Sequence, residues 1–244
     1  MALKCFVINL KKDVERREFI SQELHNLGID FEIFEASYGK DLSPDFLAQC
    51  RQNDELIFNL KGGVKVKLVG KLALNEIGCA LSHLRCYQHI IDSGLDKALI
   101  VEDDIHLNPE LSVALNNLEK IVEPWDVVNF SIHKGLKSLW GGVKYPFGEG
   151  FYFKRAGMRN DYLDARINAR RIIGCATCYV VTKEACQKLI KLGYPIRMPS
   201  DFLLGMLAYN HLKTIRAYPI GAFIGNANLA SSIEGRCSNE LYRL

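Results

Sequence analysis

The stretch Lys97–Leu111, KALIVEDDIHLNPEL, runs four aliphatic residues into three consecutive acids, Glu102, Asp103 and Asp104. Ala98–Val101 reads as a buried strand. Three adjacent carboxylates at its end are costly to assemble unless something positive stands against them. If the extended backbone persists through Asp104, Glu102 and Asp104 share one face and Asp103 points to the other. Two converging carboxylates suit a hard divalent cation that bridges them to a substrate phosphate. The same acids would also serve as surface ion pairs or as a cap for the next element.

Outward from this stretch, strands and helices alternate. Lys4–Leu10 reads as a strand, Asp13–Leu27 as a helix with Ile20, Leu24 and Leu27 on one face, and Phe31–Ala36 as a second strand. Pro44–Phe58 is polar and helix-like, and KGGVKVKLVGK (61–71) is a lysine-rich loop or hairpin. Glu76–Ser93 carries apolar residues at helical spacing and ends at Gly94. Asp126–Ile132 and Gly174–Val181 read as strands, and Lys134–Asn168 has no firm periodicity. Lys183–Leu192 reads as a helix with Thr182 at its N-cap, and a last helix starts near Pro199. This alternation predicts an α/β fold with a mainly parallel central sheet, helices on both faces, and ligands at the carboxyl ends of the strands.

The 244 residues, 48% hydrophobic, are enough for one large core, so a single domain over 1–244 is expected. A net charge of +3 is too weak to point to nucleic acid and is compatible with an anionic ligand or a membrane surface. No apolar run approaches the roughly 18 residues that span a bilayer, so any membrane contact would be peripheral. The eight cysteines and an N-terminus without an apolar signal core point to reduced thiols and a cytoplasmic location.

Several chemistries are weighed by spacing. A phospho-receiver domain also ends a strand in paired acids, but it needs an aspartate roughly 40 residues on, and Gly141–Gly150 contains none. Cys79 and His83 fall on one side of a helix together with Glu76, away from the apolar stripe. A structural zinc needs about four ligands, and no second Cys/His pair stands at suitable spacing; packing of a small residue and donor positioning by Ser82 or His83 fit the GCALSH segment better. Cys175 and Cys178, three apart on a strand, face opposite ways and read as core thiols. Ser82 and Ser131 lack the partners of a hydrolytic triad, and the metal phosphohydrolase alternative lacks a second His/Asp cluster.

The chain resembles glycosyltransferase family 25, the lipooligosaccharide glycosyltransferases. The resemblance runs through VINL with Arg16 and Arg17, EASYG (35–39), NEIGCALSH (75–83), ALIVEDD (98–104), Trp125 and Asp126, GCATCYVVT (174–182), PSD (199–201) and SSI (231–233). It covers nearly the whole chain, with a departure at Ala36–Gly39, where Ser37 and Tyr38 replace the family's x-Asp, and another near Gly225 and Asn226.

The resemblance implies a GT-A type nucleotide-sugar transferase fold, with residues 1–110 as the nucleotide-binding half and 111–244 as the acceptor side. It implies transfer of a hexose, galactose foremost, from a UDP-hexose donor to a lipid-linked oligosaccharide of the lipooligosaccharide core, with inversion. Glu102 and Asp104 would ligate Mn²⁺ or Mg²⁺ and Asp103 would face the ribose or sugar. Asn9, Leu10, Arg16, Arg17, Ser37, Ser82 and His83 would line the donor. Asp201 would act as catalytic base, with Asp126 as second candidate. Lys154, Arg155, Arg166, Arg170 and Arg171, with Tyr152 and Tyr162, would meet an anionic acceptor or the membrane. The alternative is a non-catalytic nucleotide-sugar or glycan-binding module of the same fold.

Overall fold

The structure, a computed structural model, describes residues 3–50, 55–131, 143–158, 160–227 and 240–243. The first unit is β1 (Lys4–Asn9), α1 (Val14–Asn26) and β2 (Phe31–Glu35), with β2 parallel to β1. Helix α1 stops because Gly28 adopts φ +66°, and the N–H groups of Gly28 and Ile29 then bond back to the carbonyls of His25 and Leu24. The segment expected to be helical through Phe58 divides instead into α2 (Pro44–Gln49), capped by the Ser43 hydroxyl, and β3 (Glu55–Asn59). Strand β3 pairs antiparallel with β4 (Lys65–Val69) across the glycines at 62 and 63, so the lysine-rich stretch is a hairpin.

Next come α3 (Leu74–Asp92), β5 (Lys97–Glu102), β6 (Ile105–Leu107) and α4 (Pro109–Leu115). The chain continues through β7 (Val127–Asn129), β8 (Lys144–Gly148), β9 (Phe151–Arg155) and α5 (Asp161–Asn168). Then follow β10 (Cys178–Thr182), α6 (Lys183–Gly193), α7 (Ser200–Gly205) and α8 (Leu207–Asn210). The last elements are β11 (Thr214–Tyr218), β12 (Ile224–Asn226) and β13 (Glu240–Arg243). The Thr182 hydroxyl caps α6 as expected, accepting from Ala185 N.

The central sheet has eight strands in the order β2-β1-β5-β10-β7-β11-β9-β8. Strands β2, β1, β5, β7, β11 and β8 run one way and β10 and β9 the other. The sheet is therefore mixed but mainly co-directional. Sequence pattern alone missed the β8–β9 hairpin because Pro146 and the glycines at 148 and 150 interrupt the alternation. Proline is tolerated there because β8 is an edge strand.

Strict alternation sends the strands' side chains to two cores. Phe6, Ile8, Ala98, Ile100, Tyr179 and Val181 face the side covered by α3, α6, α7 and α8. Cys5, Val7, Leu99, Val101, Cys178 and Val180 face the side covered by α1 and α4. Helices thus lie on both faces.

Helix α3 docks so closely that its backbone touches the loop after β2. A Cβ at Gly78 would lie 2.6 Å from the Ser37 carbonyl oxygen and 2.7 Å from Gly39 N. The small residue in GCALSH therefore serves packing. No helix among the described residues is long and apolar enough to cross a membrane, and the seven described cysteines are free thiols.

Candidate functional site

The acid triplet lies at the carboxyl end of β5, beside the end of β1: Ile8 is in register with Glu102. Strand β5 ends at Glu102, and Asp103 and Asp104 form a tight turn before β6. The extended geometry expected through Asp104 is thereby corrected. Glu102 keeps the parity of Ala98 and Ile100 and turns toward α3, whereas Asp103 and Asp104 both turn toward α1. Asp104 nonetheless stays near Glu102, as the foremost charge acting on its carboxyl.

On the α1 side the positive partner of the acids is Arg16. Its guanidinium lies 2.9 Å from Asp103 Oδ1 and 2.5 Å from Asp104 Oδ2. Asn9, one position beyond the Ile8–Glu102 pair, donates from Nδ2 to Asp103 Oδ2 at 2.6 Å and to the Asp13 carbonyl at 3.1 Å. Asn9 Oδ1 is buried without a hydrogen-bond partner among the described residues. Burial pushes the Asp103 carboxyl up to about 6 against the pull of Arg16 and Asn9. Leu10 follows β1, its carbonyl accepting from Asp13 N; Arg17 is half-buried one position beyond Arg16.

On the α3 side a second cluster forms. Cys79 and His83, one helical turn apart, meet Glu102: His83 Nε2 is 3.2 Å and Cys79 Sγ 3.8 Å from Glu102 Oε1. His83 is buried, not on a polar side of the helix, because the bulk of α3 is enclosed between the sheet and α6. Its Nδ1 is 2.8 Å from the Tyr179 hydroxyl, which is 2.7 Å from that of Tyr87. Burial holds the imidazole down at about 4, so it is neutral. Burial, then the neighbouring Asp104, Asp201 and Asp103 charges, hold the Glu102 carboxyl well above its ordinary value. Burial and Glu102 likewise keep Cys79 a thiol.

Helix α7 closes this cluster. Ser200 Oγ lies 3.3 Å from Cys79 Sγ. Asp201, in the first turn of α7, accepts from Ala176 N at 2.7 Å, and its charge is felt at Cys79, His83 and Glu102. The folded chain brings Asp201 to the acid triplet from 97 or more residues away in sequence, as the strand order requires.

The remaining expected residues sit elsewhere. Ser82 is fully buried, donating to the Gly78 carbonyl at 2.7 Å and accepting from Ser37 N at 2.8 Å. Ser37 Oγ in turn accepts from Arg85 at 2.7 Å. Both are joints between α3 and the loop after β2. Glu76 reaches back to Ala73 N at 2.8 Å and caps α3. Asp126 lies at the opposite end of the strands, just before β7, where it binds Lys188 at 3.0 Å and Lys213 N at 2.8 Å. That position removes it as a base at the acid triplet and makes it an anchor. Arg155 is ion-paired with Glu123 at 3.1 Å, and Tyr152 stacks on Tyr218. Lys154 and Arg171 are half-buried, and Arg166 and Arg170 are exposed. The Tyr162 side chain and the SSI at 231–233 lie outside the described residues. Cys175 precedes β10 instead of lying in it, since Gly174 turns the chain at φ +85°.

Sequence reasoning missed Tyr179, Tyr87 and Ser200. It also separated Cys79 and His83 from Glu102, although the shared parity of Glu102 with Ala98 and Ile100 was a usable signal.

The sequence model of glycosyltransferase family 25 (LPS biosynthesis protein) matches residues 2–204. A Haemophilus influenzae protein, provisionally named a glycosyltransferase, is 34% identical over 217 residues, covering 88% of this chain and 66% of its own length. Procollagen galactosyltransferase 1-B of Xenopus laevis is 32% identical over 128 residues, and this chain spans only 20% of it. A solved glycosyltransferase involved in glycosylating the major capsid of PBCV-1 aligns over 95% of each chain, at 13% identity and a TM-score of 0.41. With the family model matching through β1, the acid-tipped β5 and α7, this chain belongs to glycosyltransferase family 25.

Proposed function

We propose that the protein is a metal-dependent hexosyltransferase that moves galactose or glucose from a UDP-sugar to a glycan acceptor, a lipid-linked core oligosaccharide by preference, with inversion. The observation that carries this reading is the pairing of Asp103 and Asp104 with Arg16 at the open carboxyl edge of β1 and β5, next to the orphaned Oδ1 of Asn9. An α/β sheet offers its ligand crevice at that edge. A buried acceptor without a donor suits an N–H or O–H of a nucleoside.

The carboxylates present fit a hard divalent cation, Mn²⁺ or Mg²⁺, because oxygen ligands and concentrated negative charge are what such ions require. Asp104, 35% exposed, with Asp103 beside it would hold the ion. Glu102, on which Asp104 is the foremost charge, adds negative charge beside it. Held by these residues, such an ion would supply positive charge to neutralise a departing diphosphate. Arg16 adds a second positive group at the same place. Residues 1–110 supply this donor side and 111–244 the acceptor side. Asp201 would take the proton of the attacking acceptor hydroxyl, its carboxylate held by the Ala176 N–H. The exposed Arg166 and Arg170 would meet the acceptor's anionic groups or a membrane surface at the cytoplasmic face.

Calorimetry of UDP binding with Mn²⁺ or with EDTA, for the wild type and Asp104→Ala, tests the reading. Binding that needs both metal and Asp104 is expected. Absence of UDP binding under every condition would overturn it and leave the non-catalytic glycan-binding alternative.

A further inference from the structure

The proposed donor site takes Asp103 and Asp104 on the α1 side and leaves Cys79 and His83 without a task. Three side chains of different chemistry converge there from two rigid elements, α3 and β5, and their ligand atoms all lie within 4.8 Å of one another. We propose that Cys79 Sγ, His83 Nε2 and Glu102 Oε1 form a second cation site, for a borderline divalent ion of the zinc class, distinct from the hard-ion site at Asp103 and Asp104.

The distances carry the argument. Bond lengths of about 2.3 Å to sulfur and about 2.0–2.2 Å to nitrogen and oxygen, at tetrahedral angles, put N···O edges near about 3.3 Å and S···O edges near about 3.6 Å. The corresponding separations are 3.2 Å and 3.8 Å. Two edges of the ligand triangle therefore match a tetrahedral face, and the third, between Cys79 Sγ and His83 Nε2, lies within 4.8 Å. The second requirement of a metal-binding histidine is also met. Its other ring nitrogen, Nδ1, bonds the Tyr179 hydroxyl at 2.8 Å, and Tyr87 supports that hydroxyl at 2.7 Å. With Nδ1–H donating to Tyr179, the Nε2 lone pair faces Glu102 Oε1, and a bound cation would take the place of the proton shared between them.

Thiolate and imidazole together select zinc-class ions over Mg²⁺ or Mn²⁺. Ser200 Oγ, 3.3 Å from Cys79 Sγ, and the charge of Asp201, the proposed acceptor-activating carboxylate, flank the three ligands. Three protein ligands with a fourth position left for a non-protein ligand are the pattern of a reactive, not a purely structural, zinc site. Glu102, reaching the Cys79–His83 pair from strand β5, supplies the third ligand that helical spacing alone lacks.

The test is cobalt(II) titration of chelator-treated protein without nucleotide. A thiolate-to-cobalt charge-transfer band saturating at one ion per chain is expected, displaced by zinc and unmoved by magnesium. Cys79→Ser should abolish the band and weaken cobalt affinity on the order of 100-fold or more, because loss of a ligand exceeds loss of its supporting group. Asp104→Asn should keep it. Should Cys79→Ser not fold, X-ray absorption of the zinc-loaded wild type replaces it and should show one sulfur scatterer. No charge-transfer band, a band that survives Cys79→Ser, or one that is lost in Asp104→Asn would overturn the proposal. The inference does not rest on the donor reading: protein that binds UDP with Mn²⁺ yet gives no cobalt band overturns only this site.

Discussion

Replacing Gly78 by alanine tests the docking of α3 that brings Cys79 and His83 to Glu102. In an exposed helix the change would stabilise, since alanine is favoured over glycine by about 1 kcal/mol. Here the added Cβ would lie 2.6 Å from the Ser37 carbonyl oxygen, and both clashing neighbours are backbone. Restoring an ordinary contact of about 3.4 Å requires the helix and the loop to part by about 0.8 Å. Overpacking of this kind costs about 1–3 kcal/mol. Parting also stretches the bond from Ser37 N to Ser82 Oγ, now 2.8 Å, whose loss adds about 1 kcal/mol. After subtracting the propensity gain, a net loss of about 1–3 kcal/mol remains. For a chain of this size each kcal/mol moves Tm by about 2–4 °C. Differential scanning calorimetry of Gly78→Ala should therefore show Tm lowered by about 2–12 °C. A Tm equal to or above the wild type would refute the close approach and return Gly78 to an ordinary helix position.

Tyr179→Phe removes the hydroxyl shared by His83 and Tyr87, both fully enclosed, and should lower stability by about 1–3 kcal/mol in urea unfolding. In a double-mutant cycle with Tyr87→Phe, strictly additive losses would speak against the chain of bonds. The Asp103 carboxyl, raised from 3.8 to about 6 by burial, binds its proton more tightly in the folded state. Its contribution to stability is present below about pH 4 and lost as pH rises through 6, a swing of about 3 kcal/mol at most. Unfolding measured in EDTA from pH 4 to 7 should show that swing in the wild type and not in Asp103→Asn; identical slopes would count against it. Asp126→Ala leaves Lys213 N and Lys188 without their acceptor and should destabilise by about 2–4 kcal/mol with UDP affinity unchanged in calorimetry. An unaltered Tm would remove it as an anchor.

The local chemistry of the chain was legible wherever neighbours in sequence decide the outcome. The aliphatic run before Glu102, the Thr182 cap, the Gly28 and Gly94 stops and the α/β alternation all follow from residues within one or two turns of each other. Alternation even assigns Glu102 and Asp103 to opposite faces. What the sequence did not decide is where extension stops. Strand β5 ends at Glu102, so Asp104 follows Asp103 toward Arg16 and not Glu102 toward α3. Strand direction was likewise hidden, because an apolar run reads the same whether its partner is parallel or antiparallel, and β10 enters reversed between β5 and β7. Only that insertion carries Tyr179 to His83 and lets Ala176, just before β10, hold Asp201. The meeting of Cys79, His83 and Glu102 depends on helix docking to within a backbone contact at Gly78, a distance set by long-range packing that no local pattern encodes.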